Sequence, residues 1–226
     1  MASQNHDLAL RMAELSRSIA LRNVDEVLAD VTAAAMQLID GVDVAGVLLI
    51  GKANSFETRA PTSDLMFKLD ELQMRYLEGP CVAAALNEVV VRTDDFRNEP
   101  RWPNYSPAVT ALGVRSGLSF KLYTADRTAG ALNLFAFEPR LWDSEAETIG
   151  MVLAAHAAAA ILASREGDQL QSALSTRDRI GQAKGIIMER FGIEDVRAFA
   201  MLRQLSQDSN TKLVDVAQKV IDTRGQ

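Results

Sequence analysis

The apolar positions of this chain repeat first at helical and then at strand spacing. Leu8, Met12, Leu15 and Ile19 stand four, three and four apart, which predicts a helix over residues 8–21. Val27, Val31 and Leu38 carry helical spacing through 24–39. Residues 42–50 then form an apolar, valine-rich run stopped by Gly51, the pattern of a buried strand. Residues 57–61 read as an opposing strand. Residues 65–76 give mixed signals, ending in a short helix or turn before Gly79-Pro80. A short strand follows at 89–92. Pro100 and Pro103 flank Trp102 within 94–105; proline lacks the N–H that pairing needs, so this segment is expected to be a loop. A short helix at 106–112 stops at Gly113. Strands at 116–123 and 129–137 then make a hairpin about a polar turn.

The third quarter of the chain has a longer rhythm. Ser144 reads as a helix N-cap with Glu147 as its capping-box partner. Ile149, Leu153, His156, Ala160, Ala163, Gly167, Leu170 and Leu174 then alternate four and three apart, the a/d spacing of a coiled coil. This seam predicts a homodimer surface on a long helix. Gly167 costs that helix about 1 kcal/mol relative to alanine, and a continuous helix and a break there both fit the pattern. Beyond Leu174 the stripe passes to Ile180, Ala183, Ile187 and Phe191, which face a different partner, and Gly192 closes the helix. Two further helices are expected at 195–207 and 212–223. Strands bounded by helices predict an α+β fold: an antiparallel sheet with helices on one face, followed by a C-terminal three-helix bundle joined through the long helix.

Charge separates the same two regions. The net charge is −6; residues 1–164 carry 14 basic and 21 acidic side chains, and residues 165–226 carry 10 and 9. The first region repels nucleic acid and the second does not. Cys81 is the only cysteine, which excludes an intrachain disulfide and fits a reducing, cytoplasmic setting. The first residues lack the apolar run of a signal peptide. The longest uncharged run, 148–164, is 17 residues and alanine-rich, and it reads as a packed helix of a soluble protein rather than a membrane span.

Candidate chemistry in the first region is sparse. Cys81 fits a redox or attachment role less well than a small buried residue, because no basic cluster adjoins it in sequence. His156 lies on the apolar seam, and two histidines cannot build a histidine metal cluster. Trp102 either lines a ligand pocket or pins the proline loop. The segments YLEGPCVAAAL (76–86), FRNEPRWPNYSPAVTALGVRSGLSFKLY (96–123) and AGALNLFAF (129–137) resemble the GAF family, over about 24–164. That resemblance implies a sensor domain at 1–164 with a small-molecule ligand whose identity the segments do not give. GAF relatives bind cyclic nucleotides, tetrapyrroles, haem or other small molecules; no cofactor is assigned to this chain, and no catalysis is expected, because the reductase chemistry of some relatives needs a resolving thiol and Cys81 stands alone.

The tail carries more specific motifs. IGQAKGIIMERFG (180–192) and AFAMLRQLSQDSNTKLVDVAQKVI (198–221) resemble the ANTAR family, a helical RNA-binding module of bacterial antitermination regulators. At 100° per residue, Arg177, Lys184 and Met188 share a flank of the first helix with Gly181 and Gly185. The glycines make either a shallow floor for a phosphate backbone or another helix, or a close-packing face inside the bundle. Arg203 falls at the edge of the apolar face near Phe199, placed to cover the core or to stack on an unpaired base. Asn210 and Lys212 fall at the start of the last helix, where Asn210 is expected as a cap and a helix N-terminus beside a lysine suits phosphate.

The sequence thus predicts a GAF-like domain (1–164), a helical connector (165–175) and an ANTAR RNA-binding domain (176–226). The expected RNA contacts are Arg177, Lys184, Arg203, Asn210 and Lys212. The resemblance implies tandem RNA stem-loops as the partner, bound by a homodimer to control antitermination or translation. The main rival is a DNA-binding regulator with a DNA-reading helix; a GAF protein-interaction module whose tail binds protein is the second, and a GAF-fold enzyme, disfavoured by the residue inventory, the third. Lys212 and Lys219 against Asp215 and Asp222 suit DNA poorly.

Overall fold

A computed structural model of the chain describes residues 23–50, 55–86, 88–124, 127–140 and 142–223. The helix expected over 8–21 lies outside the described residues. The chain divides into two compact units, 1–164 and 165–226.

The first unit opens with α1 (Val24–Leu38). Asn23 caps it by accepting the Glu26 N–H at 2.9 Å, and Val27, Leu28, Val31, Ala34 and Ala35 form its buried stripe. There follow β1 (Val44–Ile50), β2 (Phe56–Arg59), α2 (Leu65–Tyr76), α3 (Pro80–Leu86), β3 (Val90–Thr93), α4 (Tyr105–Ala111), β4 (Ser116–Thr124) and β5 (Arg127–Ala136). The five strands form one antiparallel sheet in the order β2-β1-β5-β4-β3. Helix α3 was not foreseen: Pro80 occupies its first turn, where a missing N–H costs nothing.

Both faces of the sheet are covered, which corrects the expectation of helices on one face. Side chains alternate along a strand. Ala45, Val47, Leu118, Phe120, Leu122, Leu132, Leu134 and Ala136 meet α1 and the start of the long helix. Val44, Leu48, Ala131 and Phe135 turn the other way, onto α2, α3, α4 and the aromatic group Phe96, Trp102 and Tyr105. Trp102 packs edge-on to Tyr105, with ring centroids 6.3 Å apart.

Helix α5 runs unbroken from Ser144 to Phe191, through Gly167. Its cap is Asp143 rather than Ser144: Asp143 Oδ1 accepts the Ala146 N–H at 2.7 Å. Glu147, the expected capping-box partner, instead lies 3.4 Å from Arg92 of β3. Gly150 lets α5 approach the sheet closely, since a Cβ there would overlap the Phe120 ring. By length and composition α5 contains a window able to cross a membrane, and half of that window is buried within the protein.

In the second unit, the end of α5 packs with α6 (Asp195–Asp208) and α7 (Leu213–Asp222). Their core is Ala183, Ile187, Ala198, Leu202, Val216 and Ala217. Phe191, expected in this stripe, is exposed, and Ile186 is buried instead. Gly192 adopts φ +63° and donates its N–H to Met188 O at 2.9 Å, closing α5.

Candidate functional site

The flank of the second unit is set by which α6 residues turn inward. Ala198 and Leu202 are fully buried, which fixes the rotation of α6 about its axis. Residues one position on, Phe199 and Arg203, therefore point about 100° away from the core. Arg203 is exposed, so it does not cover the core as its place near Phe199 suggested. Phe199 is exposed as well.

Lys184 projects from α5 and forms an ion pair with Asp195, in the first turn of α6. Arg177, Gly181 and Gly185 are all exposed, and a Cβ on either glycine would meet nothing within 4 Å. The glycines are therefore not a packing face inside the bundle.

Asn210 does not cap α7. It adopts φ +47°, the left-handed position that closes α6. The Asn210 N–H reaches Gln207 O at 3.2 Å and the Thr211 N–H reaches Ser206 O at 3.1 Å, the paired bonds of a Schellman closure. Ser206 Oγ donates to Thr211 O at 2.6 Å and tightens the same turn. Asparagine is preferred here because its side chain tolerates left-handed backbone better than most. Lys212, the next residue but one, is the N-cap of α7 and is exposed, with no side-chain cap bond.

The expected dimer seam divides in two. Ile149 and Leu153 lie in the first unit's own core, and His156 and Ala160 are buried too. The assignment of Ile149 and Leu153 to a seam between chains is thereby corrected: four-three spacing also describes a helix packed on a sheet. Ala163 is exposed, and Leu170 and Leu174 are 65% and 52% exposed.

Beneath α2 and α3 the first unit buries a polar network that sequence reasoning missed. Asp70 accepts from Thr58 Oγ1 at 2.7 Å and from Gln73 Nε2 at 3.3 Å. Gln73 Oε1 in turn accepts the Cys81 N–H at 2.8 Å. Burial raises the Asp70 carboxyl from 3.8 to about 6, against the opposing pull of its two donors. Burial, then the Asp70 charge, pushes the Cys81 thiol far above its ordinary range, so Cys81 is a packed thiol and not an activated one. Tyr105 is shifted upward for the same reasons, and its hydroxyl is buried without a partner. One signal in the sequence pointed here: Met66, Leu69, Asp70 and Gln73 share the inward face of α2. Among the described residues, no three His, Cys, Asp or Glu are placed to hold a metal ion.

An open groove of about 400 Å³ lies between β4 and α5, lined by Val89, Phe120, Tyr123, Met151 and Leu162 among others. A second, of about 290 Å³, lies beside Glu78, Glu88, Arg101 and Trp102. Trp102 thus both pins the proline loop and borders an opening.

The chain thus joins a five-stranded antiparallel sheet covered on both faces to a small helical bundle. The GAF domain model matches residues 22–162, more than half of the chain, and the ANTAR domain model matches 168–221. The chain belongs to the GAF family and carries an ANTAR domain after it. No curated protein matches it. Among solved structures, it is similar to the GAF domain of a phosphoenolpyruvate-protein phosphotransferase from Coxiella burnetii, with TM-score 0.58 and 15% identity over 72% of this chain and 96% of that one. The corresponding Acinetobacter GAF domain gives TM-score 0.56 at 15% identity, over 74% and 96%. A domain of a two-component sensor histidine kinase from Sinorhizobium meliloti gives 0.52 at 16%, over 65% and 95%. These likenesses establish the fold. GAF and ANTAR domains are sensory and regulatory rather than catalytic, and ANTAR is the RNA-binding domain of antitermination regulators, so the chain is a regulator with a sensor.

Proposed function

We propose that this protein is a cytoplasmic, signal-responsive regulator that binds tandem RNA stem-loops as a homodimer and so controls antitermination or translation. The observation that supports the reading is a cation on each helix of the ANTAR domain: Lys184 on α5, Arg203 on α6 and Lys212 at the start of α7. Asp195, Phe199 and Arg203 follow one another at four-residue steps along α6, so they share a side. Lys184 joins that line at Asp195, and Lys212 follows the turn tied to Ser206. Lys184 and Arg203 beside this side of α6, with Lys212 just past its end, suit a phosphate backbone better than a scattered, solvated surface does. Arg177 extends the same purpose along α5. Asn210 serves the reading indirectly, by setting the turn that presents Lys212.

The homodimer would use Ala163, Leu170 and Leu174, which stand seven and four apart on α5. A small molecule bound by the GAF domain would change how the two tails are presented. An electrophoretic shift with tandem hairpin RNA against duplex DNA tests the reading. Hairpins are expected to shift at concentrations where duplex DNA stays free; equal affinity for both, or no shift with any structured RNA, rejects it.

A further inference from the structure

Phe199 is a feature of this flank that a phosphate-binding role leaves unused. It is 41% exposed, and Val196, three residues before it, is 77% exposed. Both lie on the side of α6 that carries Arg203, four residues beyond Phe199. The inward turn of Ala198 and Leu202 holds this stripe outward, so its exposure follows from the bundle's own core and not from a loose helix. Arg203 forms no ion pair or hydrogen bond among the described residues. A ring and an unpaired guanidinium one helical turn apart form a surface with two chemical demands. It needs a flat apolar face for the ring, and electron-rich character for the cation. A second protein's apolar face would bury the guanidinium without a partner, at a cost. A nucleobase meets both demands, because each base offers a π-face to an aromatic ring and to arginine alike. Lys184, paired with Asp195 at the start of α6, and Lys212, at the start of α7 just past the end of α6, are then left for the adjoining phosphates.

We infer that Phe199, with Arg203 beside it, is the stacking platform for one unpaired base of a hairpin loop. This rests on the RNA-binding reading above and adds to it a residue, a contact and a ligand group: the platform takes an extruded loop base, while the lysines hold the backbone.

The test uses the full chain. Hairpin pairs are first selected from an RNA library with randomised loops. In a selected pair, 2-aminopurine is placed at each loop position in turn, and a second set carries an abasic nucleotide there. One 2-aminopurine position is expected to be quenched on binding. Phe199→Leu, which keeps an apolar side chain but no ring, should bind ~10-fold more weakly and lose that quenching; Phe199→Tyr should keep both. With the abasic RNA at that position, the native chain and Phe199→Leu should bind alike. If Phe199→Leu binds the selected hairpins with native affinity, or retains the quenching, the platform is wrong and the RNA reading stands. A difference that persists on the abasic RNA means Phe199 acts through the fold, which also overturns the inference. If no hairpin is enriched from the library, the RNA reading fails and the platform falls with it.

Discussion

Lys184 of α5 is held by Asp195 at the first turn of α6, so the cation singled out for RNA already has a protein partner. The pair lies at the surface, with side chains 30% and 60% exposed. Such pairs contribute about 0–1 kcal/mol to stability. Asp195 also suits the positive end of the α6 dipole. The pair is therefore a modest tether that a phosphate can replace.

Replacing Asp195 with asparagine should tighten hairpin binding several-fold at low salt, by releasing Lys184. Lys184→Ala should weaken binding and reduce the salt slope by about one. In the double variant, the gain from Asp195→Asn should shrink, because the cation it releases is gone. Titrations at three salt concentrations check this; an unchanged gain in the double variant would show that Asp195 acts by general repulsion.

Arg203→Ala and Lys212→Ala should leave the bundle intact, because both side chains are exposed. Surface changes of this kind shift stability by about 0.5 kcal/mol or less. Hairpin binding should fall by ~1–3 kcal/mol for Arg203 and by less for Lys212, whose contact is expected to be phosphate alone. Circular dichroism melts alongside binding separate the two effects. A large drop in melting temperature for Arg203→Ala would return that residue to a packing role.

The two halves of the apolar seam should respond differently to charge. Leu153→Asp places a carboxylate in the first unit's core and should destabilise it by ~3 kcal/mol or more. Leu174→Asp alters an exposed position and should yield a folded monomer in light scattering. A native chain that is monomeric at tens of micromolar would end the dimer reading.

The sequence already contained much of this fold, and its silences have physical causes. The strands, the α4 stop at Gly113 and the close of α5 at Gly192 follow from local rules that tertiary packing did not override. The seam was ambiguous because a helix lying on a sheet and a helix in a coiled coil both repeat at four and three; only burial separates Leu153 from Leu174. Two-sided covering of the sheet was signalled by β5 itself, where Ala131, Leu132, Leu134 and Phe135 leave no solvated face. Asn210 sat where a cap was reasonable, yet its left-handed backbone ends the preceding helix. The exposure of Phe199 and the Lys184–Asp195 pair depend on helix rotation and packing, which a single helix's pattern does not give.

Cys81 should behave as an inert thiol. It is buried at α3, and burial disfavours its thiolate. A water-soluble thiol reagent should label the native chain at pH 7.5 far more slowly than the urea-unfolded chain. Cys81→Ser should leave hairpin binding unchanged. Rapid labelling of the native chain, or a reductase turnover lost in Cys81→Ser, would contradict this role.

Asp70 should make the first unit less stable as pH rises through the mildly acidic range. Its folded pKa is about 6 against an ordinary 3.8, so the folded state holds the proton more tightly than the unfolded chain. For a raised acid, the favourable contribution is complete below about 4 and is lost as pH climbs through about 6. The shift of about two units corresponds to a loss on the order of 3 kcal/mol, because each unit is ~1.4 kcal/mol. Asp70→Asn keeps the shape and an acceptor for Gln73, and removes the charge. It should match the native chain's stability near pH 4 and exceed it at pH 7.5. Both tryptophans, Trp102 and Trp142, lie in the first unit, so their fluorescence follows the unfolding of that unit without the tail. Urea titrations of both proteins at pH 4.5, 6 and 7.5 give the difference directly, and other titrating groups common to both proteins cancel. A difference that does not vary with pH, or a variant less stable at pH 7.5, would mean that Asp70 stays charged in the fold and that its two donors outweigh its burial.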